Sequence, residues 1–152
     1  MKCILGLLDK ESEKYYNINN EHSNHMKKRK GRLKLVNQEA RPLYYFEVFR
    51  PKDRSNQIHC LLEDASILVF NKKNKKLITI LIADECLIDE YMKHIYSTDE
   101  DVRNLYKCAK INRKTGVNKG NGNIDEIDLK KYHEKKQKFI QKKCWQNIKY
   151  ML

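Results

Sequence analysis

His59 is the residue best placed to do chemistry. It lies in an apolar stretch that reads as a strand, and Arg50, Lys52 and Arg54 precede it within nine positions. Cleaving RNA without a metal needs a base or acid that titrates near neutrality and cations that hold the scissile phosphate. A histidine among arginines and lysines supplies both. The plainer reading is a histidine hydrogen-bonded inside a sheet, where its ring only fills space and ties two elements together. A second group stands out for density: Lys27, Lys28, Arg29, Lys30, Arg32 and Lys34 place six positive charges in eight residues. Such a run is a solvated tail or a phosphate-binding surface. Leu33, Leu35 and Val36 lie within it or follow at once, so the sequence predicts a surface anchored to the fold.

Other motifs carry less. His22 and His25 are three apart, but no cysteine or carboxylate pattern completes a zinc site, and they read as surface residues. The stretch Gly120 to Asp128 offers Gly122, Ile124 and Asp125 at calcium-loop positions, yet Val117 and Lys119 fall where oxygen ligands belong. Its glycine spacing fits neither a P-loop nor a dinucleotide fingerprint, so it reads as the first turn of a helix. No metal and no cofactor is expected.

The elements that must position these residues follow from hydrophobic pattern. Ser66 to Ala83 reads as a β-hairpin: Ile67 to Phe70 and Leu77 to Ile82 are apolar or β-branched, and the link Asn71 to Lys76 is polar throughout. Neither run alternates cleanly, which predicts that both faces are covered and that the pair sits in the middle of a sheet. Leu43 to Arg50 reads as a strand, with Tyr44, Phe46 and Val48 on one face and Tyr45, Glu47 and Phe49 on the other. Gln57 to Glu63 reads as a third strand in preference to a short helix, and Leu33 to Val36 as an edge strand. Met1 to Leu8 is a short apolar run, strand or helix, that docks on the sheet. Asp9 to His25 reads as a polar loop. After the sheet the period becomes helical: one helix over Asp84 to Tyr96, a second from about Asp99 to Lys110, and a long one from Ile124 to about Met151. The expected fold is α+β, with a central antiparallel sheet of three to five strands over about 33–83 followed by three helices. The expected organisation is a core over 1–111, a Gly/Asn-rich loop over 112–123, and a basic amphipathic helix over 124–152.

Composition sets the partner class. The chain has 152 residues, a formal charge of +12 and a pI near 9.4, so polyanions are the default partner. Lys outnumbers Arg 25 to 7, which a compositional bias toward Lys and Asn would also produce. The five cysteines are scattered without a CxxC pair, and no apolar run approaches the ~20 residues of a membrane span, so a cytoplasmic protein with reduced thiols is expected.

The order strand, strand, polar turn, then an apolar strand containing Thr79 (ILVFNKKNKKLITIL) resembles the terminal hairpin of the barnase, colicin and RelE-type ribonuclease superfamily. The resemblance covers about 30 of 152 residues. It implies a basic antiparallel sheet acting on RNA, with His59, Arg50, Arg54 and Thr79 as the catalytic positions. The helical H-x-x-E-R signature of relatives is absent here. On this reading Lys27, Lys28, Arg29, Lys30, Arg32 and Lys34, the turn lysines Lys72, Lys73, Lys75 and Lys76, and the helix lysines Lys135, Lys138 and Lys142 contact phosphates. Tyr44, Tyr45 or Phe49 would stack on bases. The alternative is a small interaction protein, of the kind phages use against a host nuclease or CRISPR-type defence complex, whose positive face occupies a nucleic-acid path or an acidic protein surface.

Overall fold

A computed structural model describes residues 3–95, 97, 99–117 and 124–140. Five strands form one antiparallel sheet in sequential order: β1 (Cys3–Leu8), β2 (Pro42–Arg50), β3 (Ser55–Leu62), β4 (Ser66–Asn71) and β5 (Leu77–Ile82). Four α-helices are described: α1 (Asn24–Lys28), α2 (Glu85–Met92), α3 (Glu100–Thr115) and α4 (Leu129–Gln137). The α+β class is the expected one.

The β4–β5 hairpin forms where β-branched residues dominate. Its link is held by asparagine side chains that imitate backbone acceptors: Asn71 Oδ1 takes the amides of Lys73 at 2.9 Å and Asn74 at 3.0 Å, and Asn74 Oδ1 takes that of Lys76 at 2.9 Å. Both faces of the hairpin are covered, as the run pattern requires. Its place differs from expectation, because β5 is the last strand of the sheet. That edge is closed instead by the segment before α1. Leu77 donates to Glu21 O at 2.8 Å, Ser23 donates back to Leu77 O at 2.9 Å, and Arg32 reaches across to Ile80 O at 2.7 Å. Blocking a strand edge in this way removes a site of unwanted pairing. The opposite edge is β1, where Leu5 and Leu7 are exposed.

The expected edge strand over Leu33 to Val36 is not formed. Lys30–Leu35 is a 3-10 helix, and its apolar residues serve as anchors rather than as a paired strand: Leu35 is buried, as is Val36 just after it. Together with Tyr16 and Met26 they cover the face carrying Tyr45, Ile58, Cys60, Leu68 and Ile80. The other face carries Phe46, Val48, Leu61, Ile67 and Val69, and is covered by Ile88 and Tyr91 of α2 and by Leu105, Cys108 and Ala109 of α3. Burying each such side chain contributes about 1.5–3 kcal/mol.

Aspartates start the later helices. Asp84, Asp99 and Asp128 accept the amides of Leu87, Val102 and Lys131 at 2.9, 3.0 and 3.1 Å. Three helix boundaries depart from expectation, the first being that of α2, which ends at Met92 rather than at Tyr96. α3 runs on through Asn112 to Thr115 before Gly116 ends it in the left-handed region (φ 78°), which glycine adopts at little cost. The last helix is shorter than expected: Ile124–Glu126 is a separate 3-10 turn, and α4 begins after its Asp128 cap and ends at Gln137. Residues 118–123 and 141–152, including much of the expected loop and helix, lie outside the described residues.

α4 packs on the core through a buried lysine. Lys136 is fully enclosed, and its Nζ donates to Asp64 O and to Tyr132 Oη, each at 2.7 Å. Tyr132 donates onward to Asn112 of α3, whose amide reaches Ala83 O at 2.8 Å. Asp64 in turn takes the amides of Asn37 at 2.8 Å and Ser66 at 3.0 Å. Burial pushes the Lys136 ammonium below the ordinary lysine value, with Asp64 and Cys108 opposing the shift. The unfolded chain therefore binds more protons than the folded one between that lowered value and 10.5, and this residue's contribution to stability rises with pH across the window. Lys136→Ala is expected to cost about 3 kcal/mol in urea unfolding, through stranded acceptors and a cavity, and the volume-preserving Lys136→Met about half as much. The advantage of wild type over Lys136→Met is expected to grow as pH is raised toward 10.5.

Candidate nucleic-acid interface

His59 projects from β3 toward α2 and is 1% exposed. Its Nδ1 lies 2.6 Å from the Tyr91 hydroxyl and its Nε2 lies 3.0 Å from Gln57 Oε1. Burial, chiefly, pushes the Tyr91 hydroxyl up, so it stays protonated. Both ring nitrogens are thus engaged, one with Tyr91 and one with Gln57. The geometry is that of a tie between β3 and α2.

The other positions implied by the ribonuclease resemblance disperse. Cross-strand pairing places Phe46, His59, Val69 and Thr79 in one row over the same face. Val69 separates His59 from Thr79, so two strand spacings, about 10 Å, lie between their backbones. Thr79 Oγ1 is buried with no hydrogen-bond partner among the described residues. Arg50 stands four residues from that row along β2, roughly 13 Å away. Arg54 is exposed in the following turn, in the left-handed region at φ 50°. The sheet thus brings none of the three within hydrogen-bond reach of His59.

Arg50 meets a different group. α1 and the 3-10 turn after it run beside β5, with Met26 and Leu35 turned into the core and the cations turned out. His25 is exposed at the centre of this strip. Local desolvation, then the charges of Arg29, Arg32, Lys28 and Arg50, hold its imidazole below the ordinary histidine value. The exposed cations of α1 and of the 3-10 turn form a basic strip beside β5. Lys27, Lys28, Arg29, Lys30 and Lys34 are exposed, and none of them makes an ion pair among the described residues. The carboxylate that also feels Arg50 is Asp53, held below its ordinary range first by the Ser55 hydroxyl at 2.6 Å.

The turn lysines are more nearly neutralised. Lys72 pairs with Glu47 at 2.6 Å, Lys76 lies 3.8 Å from Glu21, and Lys75 sits over the Tyr15 ring at 5.5 Å. Lys73, Lys135 and Lys138 are exposed, and Lys142 lies outside the described residues. α4 approaches the basic strip, its His133 contacting Lys34 O at 2.7 Å. Of the aromatics expected to stack, Tyr45 is buried, whereas Tyr44 and Phe49 are half-buried.

On the opposite face from His59 lies a cavity of about 750 Å³. Tyr45, Cys60, Leu62 and Leu68 of the sheet line it, together with residues from the segments over 13–22 and 33–42. Sequence reasoning missed this cavity, because two irregular segments enclose it. It also missed His25, although the four- and three-residue spacing of His25, Arg29 and Arg32 was there to be read.

Comparison with protein-family models, with curated proteins and with solved structures finds no match to the chain. Function is therefore argued from geometry and charge. Removing one of the cations around His25 should relax it. Arg50→Gln is expected to raise the His25 pKa toward 6.5, followed by NMR titration of the ring protons, and an unchanged pKa would separate β2 from the basic strip.

Proposed function

We propose that the chain binds single-stranded nucleic acid, RNA foremost, along the basic strip beside β5, and that it does so without cleaving it. The observation that supports this reading is the row of exposed cations along α1 and the 3-10 turn, Lys27, Lys28, Arg29, Lys30 and Lys34, none of which makes an ion pair among the described residues. Cations held this close repel one another, and a polyphosphate relieves that repulsion while releasing its own counterions. The strip is fixed to the core by Met26 and Leu35, so its charges are presented by an ordered surface. Sequence preference would come from contacts other than these, since phosphates carry no base information.

Binding without cleavage is favoured by the state of His59. A general base must reach the proton it removes, and this ring is enclosed with both nitrogens occupied.

The test is fluorescence anisotropy with labelled single-stranded RNA in EDTA. If about four phosphates are neutralised, a fourfold rise in salt should weaken binding roughly fiftyfold, at a slope of about −0.7 per contact. Neutralising Lys28, Arg29 and Lys30 together should weaken binding more than neutralising Lys72, Lys73 and Lys76, two of which already face carboxylates. Because bound phosphate favours protonated His25, affinity should rise as pH falls through the lowered range of that ring, and His25→Ala should flatten the dependence. Salt-independent affinity would overturn the proposal, and so would RNA cleavage that His59→Ala abolishes.

A further inference from the structure

The cavity over the sheet face opposite His59 takes no part in the phosphate contacts argued above. Its volume, about 750 Å³, is that of an ordinary small-ligand site. Cross-strand pairing builds its floor as one row: Tyr45 of β2, Cys60 of β3 and Leu68 of β4 stand side by side, with Leu62 further along β3. The backbone polar groups beneath that row are engaged in the ladders that pair these strands. The polar side chains near it are committed as well. Tyr45 donates to Tyr16 O and Tyr16 to Lys72 O, each at 3.1 Å. Asn37 donates to Gln137 Oε1 and accepts the Glu39 amide, each at 2.9 Å. The Cys60 thiol is a weak hydrogen-bonding group that behaves as a small hydrophobe. Water resting on such a floor finds few partners and is given up at little cost.

We propose that this cavity binds an uncharged, ring-bearing hydrophobe, seated on Tyr45, Cys60 and Leu68 with at most one polar substituent, which faces the mouth. The walls carry the complementary signal. Ile18, Leu33 and Ala40 pack against the same core cluster yet stay partly exposed where they line the cavity, and a guest of matching shape takes that apolar surface out of water. The Tyr45 ring adds a face on which another ring can lie. Charge is excluded by the lining. It contains no lysine or arginine among the described residues, and its one carboxylate, Glu13, is exposed. An ionised guest would lose hydration and gain no buried counter-charge. Asn19 and Gln38, exposed in the lining, suit a lone hydroxyl or carbonyl at the open end. A sugar or a nucleobase, polar around its whole rim, is a poor guest, because the floor has nothing to replace the water such a rim would leave. The inference goes beyond the nucleic-acid reading and does not rest on it.

The probe for the test is N-phenyl-1-naphthylamine, an uncharged aromatic amine whose fluorescence rises in apolar surroundings. Added to the full-length protein, it should give a saturable, one-to-one enhancement that does not weaken with salt, unlike RNA binding. In ¹⁵N-labelled protein it should shift the amides of residues 16–18, 33–40, 60–62 and 68 and leave those of α2 and α3 in place. Ala40→Trp sets a large side chain into the cavity from a partly exposed wall residue, so it should weaken probe binding by about tenfold while RNA affinity stays unchanged. If that variant fails to fold, the wild-type shift map decides alone. Guanosine should neither shift these amides nor displace the probe. Enhancement that never saturates, shifts centred on the exposed Leu5 and Leu7 of β1, full probe binding by folded Ala40→Trp, or displacement by guanosine would each overturn the proposal.

Discussion

The reversal between β3 and β4 is the constraint on which the fold depends. Glu63, Asp64 and Ala65 turn the chain inside the protein, where a loop normally cannot satisfy its polar groups. Two carboxylates and several carbonyls must therefore find partners away from water. Arg41 serves Glu63 through its backbone amide at 2.7 Å and its guanidinium at 2.9 Å. Asn37 and Ser66 serve Asp64, and Lys136 serves the Asp64 carbonyl from α4. One buried turn thereby fixes the segment before β2 and the last described helix, while Tyr132 and Asn112 extend the tie to α3 and the end of β5. Fully satisfied, such a network specifies one arrangement of layers, and half satisfied it would cost more than an apolar core.

Those layers determine where charge can collect. Covering one face and the β5 edge of the sheet uses the segment from Tyr16 to Val36, and its apolar residues occur only every few positions. The residues between them have no place inside. Lys27, Lys28, Arg29, Lys30 and Lys34 face solvent because Met26, Leu35 and Val36 do not, and Arg32 lies across the strand edge as a clamp. The energetic cost of crowding cations beside β5 is carried by the burial that anchors them. A basic run which in isolation would be a solvated tail becomes a surface of fixed shape.

Much of the sheet was legible because its signal is local. The β4 and β5 runs are β-branched, their link is polar, and the alternation of Tyr44 to Phe49 assigned the faces of β2 correctly. The starts of α2 near Asp84 and of α3 near Asp99 were equally plain. Leu33 to Val36 misled because a short apolar run has no period, and the same residues can plug a core from a 3-10 turn. Asn112 was read as loop from its neighbours, but the amide is a core hydrogen-bonding group that only Ala83 and Tyr132 explain. Lys136 could not be read at all: on α4 it is one lysine among several, and its burial depends on a turn seventy-two residues earlier. The basic run was conspicuous in sequence, whereas its place beside β5 depends on how the segment before β2 folds back over the sheet. His59 shows the converse, a residue conspicuous by type whose surroundings make it a brace between β3 and α2.

The central claim is that nucleic acid lies along α1 and the 3-10 turn beside β5. The most direct measurement is photocrosslinking of 4-thiouridine-labelled RNA to the full-length protein at low salt, with the modified peptides identified by mass spectrometry. Crosslinks concentrated between His25 and Lys34, with Arg50 or its neighbours joining them, are the result this account requires. Crosslinks confined to the α2 and α3 face, or spread evenly over every exposed lysine, would contradict it.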